Sequence, residues 1–463
     1  MTNYADCSIW DYRDNLRFDE PLEPDDERLV ELSRARGDYS RERLYRQLGI
    51  NTGQNLLQSL PRGQYLLFGG HRGCGKSTEL RLMADYLHHP ERFFVVFIDA
   101  LKRLDVNNLR YSDLLLAQGE ALAAALDKHG IQVPSVYLTR LGDWFAQRVE
   151  TITRTHSLAA ELKAGAKAEG GVPLLLKLFA TLTTAIRTGT SYKEEIRLAV
   201  RDAFSELADA FNALVDFVTG ELDRRGLGKT LLFVIDGTDR LRRDEAETFF
   251  IHDIHQLRLV RANFVYCAPI TILAEAGQAA QSFDADFKLP MVKLSDKGVA
   301  EPFEGGWSCL REFLLRRLPR GCFDSEETID LLVRYSGGHP RDLLRLASYC
   351  LQEIDAGPIT EPVARTAVRR LSTDYRRLVK PEDYELLARI DAADKSDTPI
   401  GDRSRRLLYD LVLLEYNDFW WQSHPAVGDL PGYTAAAARI ERAGTACTCS
   451  PPPIVQDEQD FQD

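Results

Sequence analysis

The sequence predicts an α/β protein, with a parallel sheet covered on both faces, a large helical insertion and a helical region after the sheet. Three observations predict it. Apolar runs at 64–70, 93–100, 230–236 and 263–270 alternate with helical patterns. Each run is apolar at successive positions, so both faces of the strand must be buried, as in parallel sheets. From about 308 onward the spacing of apolar residues is helical.

The elements follow in order. Residues 1–30 are polar and acidic, with PLEPDDE at 21–27, and read as an extended lead-in. A helix is expected over 40–60, stopping before Pro61. QYLLFGG (64–70) is a strand entering a turn, STELRLMADYLHH a helix, and FFVVFIDA (93–100) a second strand. Helices are expected over 112–129 and 136–160, then a glycine- and alanine-rich segment at 159–171. A long amphipathic helix from about 193 to 225 ends at Gly226. TLLFVID (230–236) is the third strand, 244–261 a helix, NFVYCAPI the fourth strand, and LPMVKL (289–294) the expected fifth. The end of the chain, 431–463, with CTCSPPP and acidic residues, is expected to be disordered.

Composition narrows the classes. The 463 residues suffice for two to four domains at about 100–200 residues each. Hydrophobic residues at 44% and charged residues at 28% exclude a wholly disordered chain, a collagen-like chain and a disulfide miniprotein. A net charge of −12 argues against a free, non-specific nucleic-acid binder. The eight cysteines show no C-x-x-C pair and read as reduced thiols of a cytoplasmic protein. The N-terminus lacks the basic and apolar parts of a signal peptide. The longest apolar stretch, 172–186, is interrupted by Lys177 and is too short for a membrane span. No repeat of 20–50 residues is present.

Gly70-His71-Arg72-Gly73-Cys74-Gly75-Lys76-Ser77 fits G-x-x-x-x-G-K-[ST] in full, between a strand and a helix. Glycines let backbone N–H groups turn toward phosphates, and the following helix adds its positive end. In this loop Gly70, Arg72, Gly73, Cys74, Gly75, Lys76, Ser77 and Thr78 are the nucleotide-binding candidates. Lys76 would reach the β- and γ-phosphates, Ser77 would ligate Mg²⁺, and Thr78 would support the α-phosphate. The apolar run Leu231–Ile235 ends in Asp236, the second metal candidate. Asp239 follows in D-G-T-D and either orients an attacking water or sits as a loop carboxylate paired with Arg240 or Arg243.

The segments GGHRGCGKST, LLFVIDGTDRL, NFVYCAPI and SGGHPRDLLRL occur in an order that resembles STAND-type and origin-recognition-like members of the AAA+ superclass. A further strand between the phosphate loop and Asp236 is similar to the additional-strand ATPases, not to nucleotide kinases. The resemblance implies a P-loop ATPase core over 61–300 with an insertion at about 102–225, and a helical lid over 301–378. It further implies a winged-helix-like module over 379–430, with 1–60 as an N-terminal lead-in and helix. It implies ATP and Mg²⁺ as ligands, and catalytic roles for Lys76, Asp236 and Asp239. Pro340 matches a lid proline that packs on the base or ribose, and Arg341 a sensor arginine for the γ-phosphate. Pro340 is equally a plain helix start, and Arg341 equally a surface arginine. Arg36-Gly37-Asp38 is similar to a stretch that approaches adenine, and Tyr266 and Cys267 are the local candidates for a polar sensor at the fourth strand.

No arginine lies between Arg261 and Arg311, where ring-forming relatives supply an arginine finger. The resemblance therefore favours a slow nucleotide switch, of the kind used in bacterial or antiviral defence or in signalling, over an unfoldase ring. A homo-oligomer and a separate effector protein are the expected partners. The insertion is the expected partner surface, and deleting 159–190 is expected to abolish assembly while sparing nucleotide binding. Residues 404–424 read as a helix, a turn at Asn417-Asp418 and an aromatic strand. Arginines at 365, 369, 370, 376 and 377 and at 403, 405 and 406 are either a DNA-contacting face or a solvated face paired with acids such as Glu382 and Asp383. The alternatives are an origin-recognition-like DNA-binding ATPase and a scaffold that keeps ATP as a structural ligand.

Overall fold

The computed structural model describes residues 9–60, 63–105, 108–148, 172–188, 193–274, 281–299, 301–393, 401–417 and 420–448. Its centre is a parallel sheet of five strands: β1 (Tyr65–Gly70), β2 (Phe93–Asp99), β3 (Thr230–Asp236), β4 (Asn263–Pro269) and β5 (Ala285–Leu289). Their spatial order is β2-β3-β4-β1-β5, with every neighbouring pair parallel. A strand does separate β1 from β3. It is β4, which follows β3 in sequence, while β2 lies at the sheet edge.

Alternate residues of the central strands feed opposite layers. Leu231, Phe233 and Ile235 join the core shared with the insertion. Leu232 and Val234 join the layer of α1 (Lys76–Leu87), beside Leu80, Met83 and Leu87. This two-sided burial is why the strands read as unbroken apolar runs.

The insertion contributes α2 (Tyr111–Lys128), α3 (Ser135–Arg148), α4 (Val172–Arg187), α5 (Lys193–Asp202) and α6 (Phe204–Arg224). The single helix expected at 193–225 is broken at Ala203 (φ −128°, ψ 32°), where Phe204 turns edge-on to Tyr111. The remainder of 136–160, beyond Arg148, and the segment 159–171 lie outside the described residues. Leu175, Leu178, Phe179, Leu182 and Ile186 of α4 are buried in the same core as the sheet. At about 1.5–3 kcal/mol each, their loss would cost on the order of 10 kcal/mol, comparable with a whole fold's stability of about 5–15. Deleting 159–190 would therefore open the core rather than spare the nucleotide loop, contrary to the expectation.

Three further expectations are corrected. The helix of 40–60 is only Arg41–Gln47; Gly49 (φ +83°) ends it, and Asn51 caps a tight turn between the strands Ile50–Asn51 and Leu56–Leu57. The fifth strand is 285–289, because Pro290 lacks the N–H needed to continue the ladder. Residues 291–293 instead bond backbone to backbone with Glu415, Gly338 and Ala35. The segment 431–463 is not wholly irregular: Pro431–Thr448 is a helix, started by Pro431 and sustained by an alanine run. It is anchored by the Tyr433 hydroxyl on Asp391. Residues 449–463 lie outside the described residues.

Beyond the sheet, α7 (Glu304–Leu315), α8 (Glu326–Ser336), α9 (Pro340–Gln352) and α10 (Glu361–Arg376) form a second core. Helices α11 (Asp383–Ala392) and α12 (Asp402–Tyr409) lead to an antiparallel hairpin, β6 (Leu413–Glu415) with β7 (Trp421–Ser423), and the 431–448 helix becomes α13. Trp420 and Trp421 are buried at its base. No helix among the described residues is long and apolar enough to cross a membrane.

Candidate functional site

The glycine-rich loop leaves β1 and enters α1 through two residues that only glycine adopts easily, Gly73 (φ +85°) and Gly75 (φ +103°). A Cβ on Gly73 would lie 2.7 Å from His339 Nε2 and 2.9 Å from the Arg341 side chain. Lys76, 4% exposed, curls back over the loop. Its Nζ donates to the carbonyls of Gly70 (3.0 Å) and His71 (2.8 Å) and sits 2.7 Å from Asp239 Oδ2. Burial disfavours the lysine's charge, but Asp239 outweighs it and holds its pKa above the ordinary value.

Ser77 Oγ donates to Asp236 Oδ1 at 2.9 Å, and the Gly237 N–H donates to the same oxygen at 2.8 Å. Burial, and then the neighbouring Asp239, raise the pKa of Asp236. Burial would raise Asp239 too, but Lys76, with Arg240 and Arg72 further off, keeps it below its usual value. The register explains the meeting. β4 lies between β1 and β3, so the ends of β1, β3 and β4 open side by side.

Of the two sensor candidates on β4, Tyr266 faces the insertion core and Cys267 faces the site. One ligand atom each of Asp236, Asp239 and Cys267 lies within 4.8 Å of the others. Burial, then Asp239 and Asp236, push the thiol well above its usual pKa, so it stays protonated. The two carboxylates and the Ser77 hydroxyl are hard oxygen donors of the kind Mg²⁺ takes.

Two adjoining cavities meet at the loop. The first, about 490 Å³, is lined by Arg72, Lys76, Ser77, Asp239, Arg240 and Arg341. The second, about 670 Å³, has apolar walls from Leu22, Leu29, Val30, Phe313 and Leu344, with Arg36 and Pro340. They share Phe18, Glu20, Gly73, Gly75, Thr78 and Arg341. A polar chamber at the loop beside an apolar one suits a phosphate chain attached to a base.

Most of the sequence candidates therefore converge. Gly70 is the last residue of β1, and the Cys74 side chain is buried beneath the loop, with the Cys74 N–H donating to the His71 carbonyl at 3.3 Å. Arg36 borders the apolar cavity but spends its guanidinium on the loop, donating to Cys74 O at 2.6 Å and to Pro290 O. Pro340 is the first residue of α9, and Arg341 lines both cavities.

Sequence reasoning missed the segment 17–22. Phe18, Glu20 and Leu22 line the cavities, Leu22 N–H donates to Thr78 Oγ1 at 3.1 Å, and Arg341 Nε donates to Phe18 O at 3.3 Å. The available signal was Pro21 and Pro24, which favour extended backbone able to cross a surface.

It also missed His71. His71, wholly buried, has Nδ1 3.2 Å from Leu408 O, and its Nε2 accepts from the Glu415 N–H at 2.8 Å. A proton on Nε2 would face an N–H, and burial, with His339 nearby, lowers the pKa to about 3. His339 Nε2 lies 3.0 Å from Arg72 O, and its Nδ1 lies 3.1 Å from Asp342.

The His71 shift carries a pH prediction. Above pH ~6.5 His71 is neutral folded or unfolded; below it the unfolded chain takes up a proton that the folded site refuses down to about pH 3. Stability is thus fully present above ~6.5 and is lost as pH falls toward 3, by about 2 kcal/mol at pH 5. Denaturant titrations at pH 7 and 5 should show His71→Gln with a flatter dependence than wild type. Parallel profiles would refute the assignment.

The arginine clusters are mostly engaged. Arg365 pairs with Glu361, Arg406 with Asp383, and Arg405 with Asp402. Arg403 lies 3.9 Å from Asp383, and Arg370 bonds Gln352 and covers the Tyr349 ring. No protein-family model matches the chain, and no curated protein matches it.

Proposed function

We propose that the chain binds ATP with Mg²⁺ at the loop 70–77 and acts as a slowly hydrolysing nucleotide switch that regulates or assembles an effector complex. One observation carries the reading: a complete phosphate-loop motif whose Lys76 and Ser77 meet Asp239 and Asp236 at the mouth of a two-chambered cavity. In this reading the loop amides and Lys76 hold the phosphates, and Ser77 and Asp236 hold the metal, which would screen phosphate charge. Asp239 orients water, Cys267 takes the sensor position, and α9 brings Pro340 and Arg341 to the nucleotide as part of a lid. The strand order β2-β3-β4-β1-β5 supports the additional-strand resemblance. A role in bacterial defence or signalling, and a separate effector, rest on that resemblance.

The test is light scattering after size exclusion, with ADP and with a non-hydrolysable ATP analogue. Wild type should form a larger species with the analogue only, and Lys76→Ala should stay at one mass. Mass indifferent to nucleotide would remove switching by assembly and leave the scaffold reading. The insertion offers exposed apolar side chains, Val136 (64% exposed) and Leu198 (48%). Val136→Glu or Leu198→Glu should reduce assembly several-fold with nucleotide affinity unchanged; unaltered assembly in both would exclude that face. DNA binding through Arg376 and Arg377 is the rival, and predicts retention that falls steeply with salt.

A further inference from the structure

The phosphate end of the cavity holds cationic side chains that the loop motif does not account for. Lys76 is committed to two carbonyls and Asp239, and Arg341 is partly committed to Phe18 O. Arg72 and Arg240 line the same chamber, and among the described residues neither guanidinium has a hydrogen bond or an ion pair. The contrast with the adjacent turn is sharp: Arg243, three residues on from Arg240, bonds Asp402 at 3.2 Å. The acids of the chamber wall are already engaged or sit on the crossing segment. Asp239 is held by Lys76, Glu20 lies 3.3 Å from Arg28, and Asp19 belongs to residues 17–22.

The position of Arg240 along the cavity is defined by what lines each chamber. Arg240, Asp239, Lys76 and Arg72 border only the polar chamber, and Leu29, Val30, Phe313 and Leu344 only the apolar one. Gly73, Gly75, Thr78 and Arg341 border both, with Phe18 and Glu20 of the crossing segment. A nucleotide with its base in the apolar chamber would run its phosphates past Thr78 and Gly75 toward Asp239. Arg240, adjacent to Asp239 in the turn Thr238–Arg240, stands at the far end of that path. Like charges gathered there repel one another: burial, then Arg72 and Arg240, lower the pKa of Arg341. A polyanion relieves that repulsion. The stretch from 262 to 310 contains no arginine, so the residue in question is not duplicated on the segment after β4.

We propose that Arg240 is the residue by which this chain distinguishes a nucleoside triphosphate from a diphosphate, its guanidinium meeting the terminal phosphate from the β3 side. The proposal rests on the ATP reading of the site and extends it. A guanidinium–phosphate contact is charge-assisted and can be bidentate, so its loss acts only on the ligand that owns the extra phosphate. The diphosphate, ending at the loop amides and Lys76, does not reach Arg240.

The experiment is calorimetric titration of full-length protein with Mg²⁺ plus either a non-hydrolysable ATP analogue or ADP. It compares wild type, Arg240→Ala, Arg240→Lys, Arg243→Ala and Lys76→Ala. Arg240→Ala should weaken the triphosphate by about tenfold or more and ADP by less than about threefold. Arg240→Lys should retain part of the discrimination, and Arg243→Ala should match wild type. Melting curves matching wild type would show the fold intact, as expected for an exposed side chain without partners. Equal loss for both nucleotides, or no loss for either, overturns the Arg240 assignment while Lys76→Ala still reports on the site. A wild type that binds neither nucleotide overturns the ATP reading and this assignment together.

Discussion

Lys76→Ala should lose nucleotide binding by about two orders of magnitude, the scale for removing a buried charge that pairs with a charged ligand. The same substitution should destabilise the empty protein, which a surface lysine would not do. Asp239, its side chain 11% exposed, is left beside Asp236 with its nearest counter-charge removed. Breaking a buried pair from one side costs about 3–5 kcal/mol. The lower end applies, because Arg72 and Arg240 still act on Asp239. Asp239→Asn in the Lys76→Ala background should recover much of that stability without restoring binding, since the remaining charge is gone. Urea titrations of wild type and the two variants measure the change in stability, and calorimetry the change in binding. Unchanged nucleotide affinity in Lys76→Ala would end the assignment of the loop.

Asp342→Ala should be as damaging and should act on the helical region first. The carboxylate is wholly buried, yet it collects four partners from three parts of the chain. The Tyr375 hydroxyl donates to Oδ2 at 2.5 Å and Arg345 donates to Oδ1 at 2.9 Å. His339 Nδ1 and His424 Nε2 lie 3.1 Å and 3.2 Å from Oδ2. Burial opposes the charge, but His339 foremost holds the carboxyl well below its usual pKa. Removal strands several buried polar groups at once and should cost about 3–5 kcal/mol. Because Arg341 precedes Asp342 at the start of α9, triphosphate affinity should fall as well, even though Asp342 lines neither cavity. Denaturation followed by tryptophan fluorescence would report it, with Trp307, Trp420 and Trp421 in or beside this half of the molecule. A loss under about 1 kcal/mol would mean the cluster is not a unit.

The elements buried on both faces were the legible ones. FFVVFID and TLLFVID leave no polar face for any other arrangement, and the glycine-rich loop carries its chemistry in its residue types. Hydrophobic spacing says nothing about the spatial order of strands, so the place of β4 between β1 and β3 needed the structure. The edge strand was displaced in the reading because Met291 and Val292 are buried without being in the sheet. Pro290, which stops the ladder, was passed over in favour of hydrophobicity. The 431–448 helix was obscured by the composition that follows it, although its alanine run is a helix signal by itself. In the site, the residues of the motif were found, and of its variable positions only His71 was not. His71 occupies an x of the motif, and its role depends on Leu408 and Glu415, more than 300 residues away. Arg240 was weighed only as a partner for Asp239, because a turn arginine has no pattern to mark it.

His71 and His339 join the loop that would receive phosphates to the hairpin at 413–423 and to α9. Any coupling carried by such a joint is reciprocal. Whatever factor a ligand at the loop lends to the seating of the hairpin, an event that seats or unseats the hairpin must return to the ligand's affinity, because the two share one thermodynamic cycle. If the loop binds nucleotide as proposed, a protein that pulls on β6 and β7 would therefore act on this molecule in the same sense as a change in nucleotide concentration.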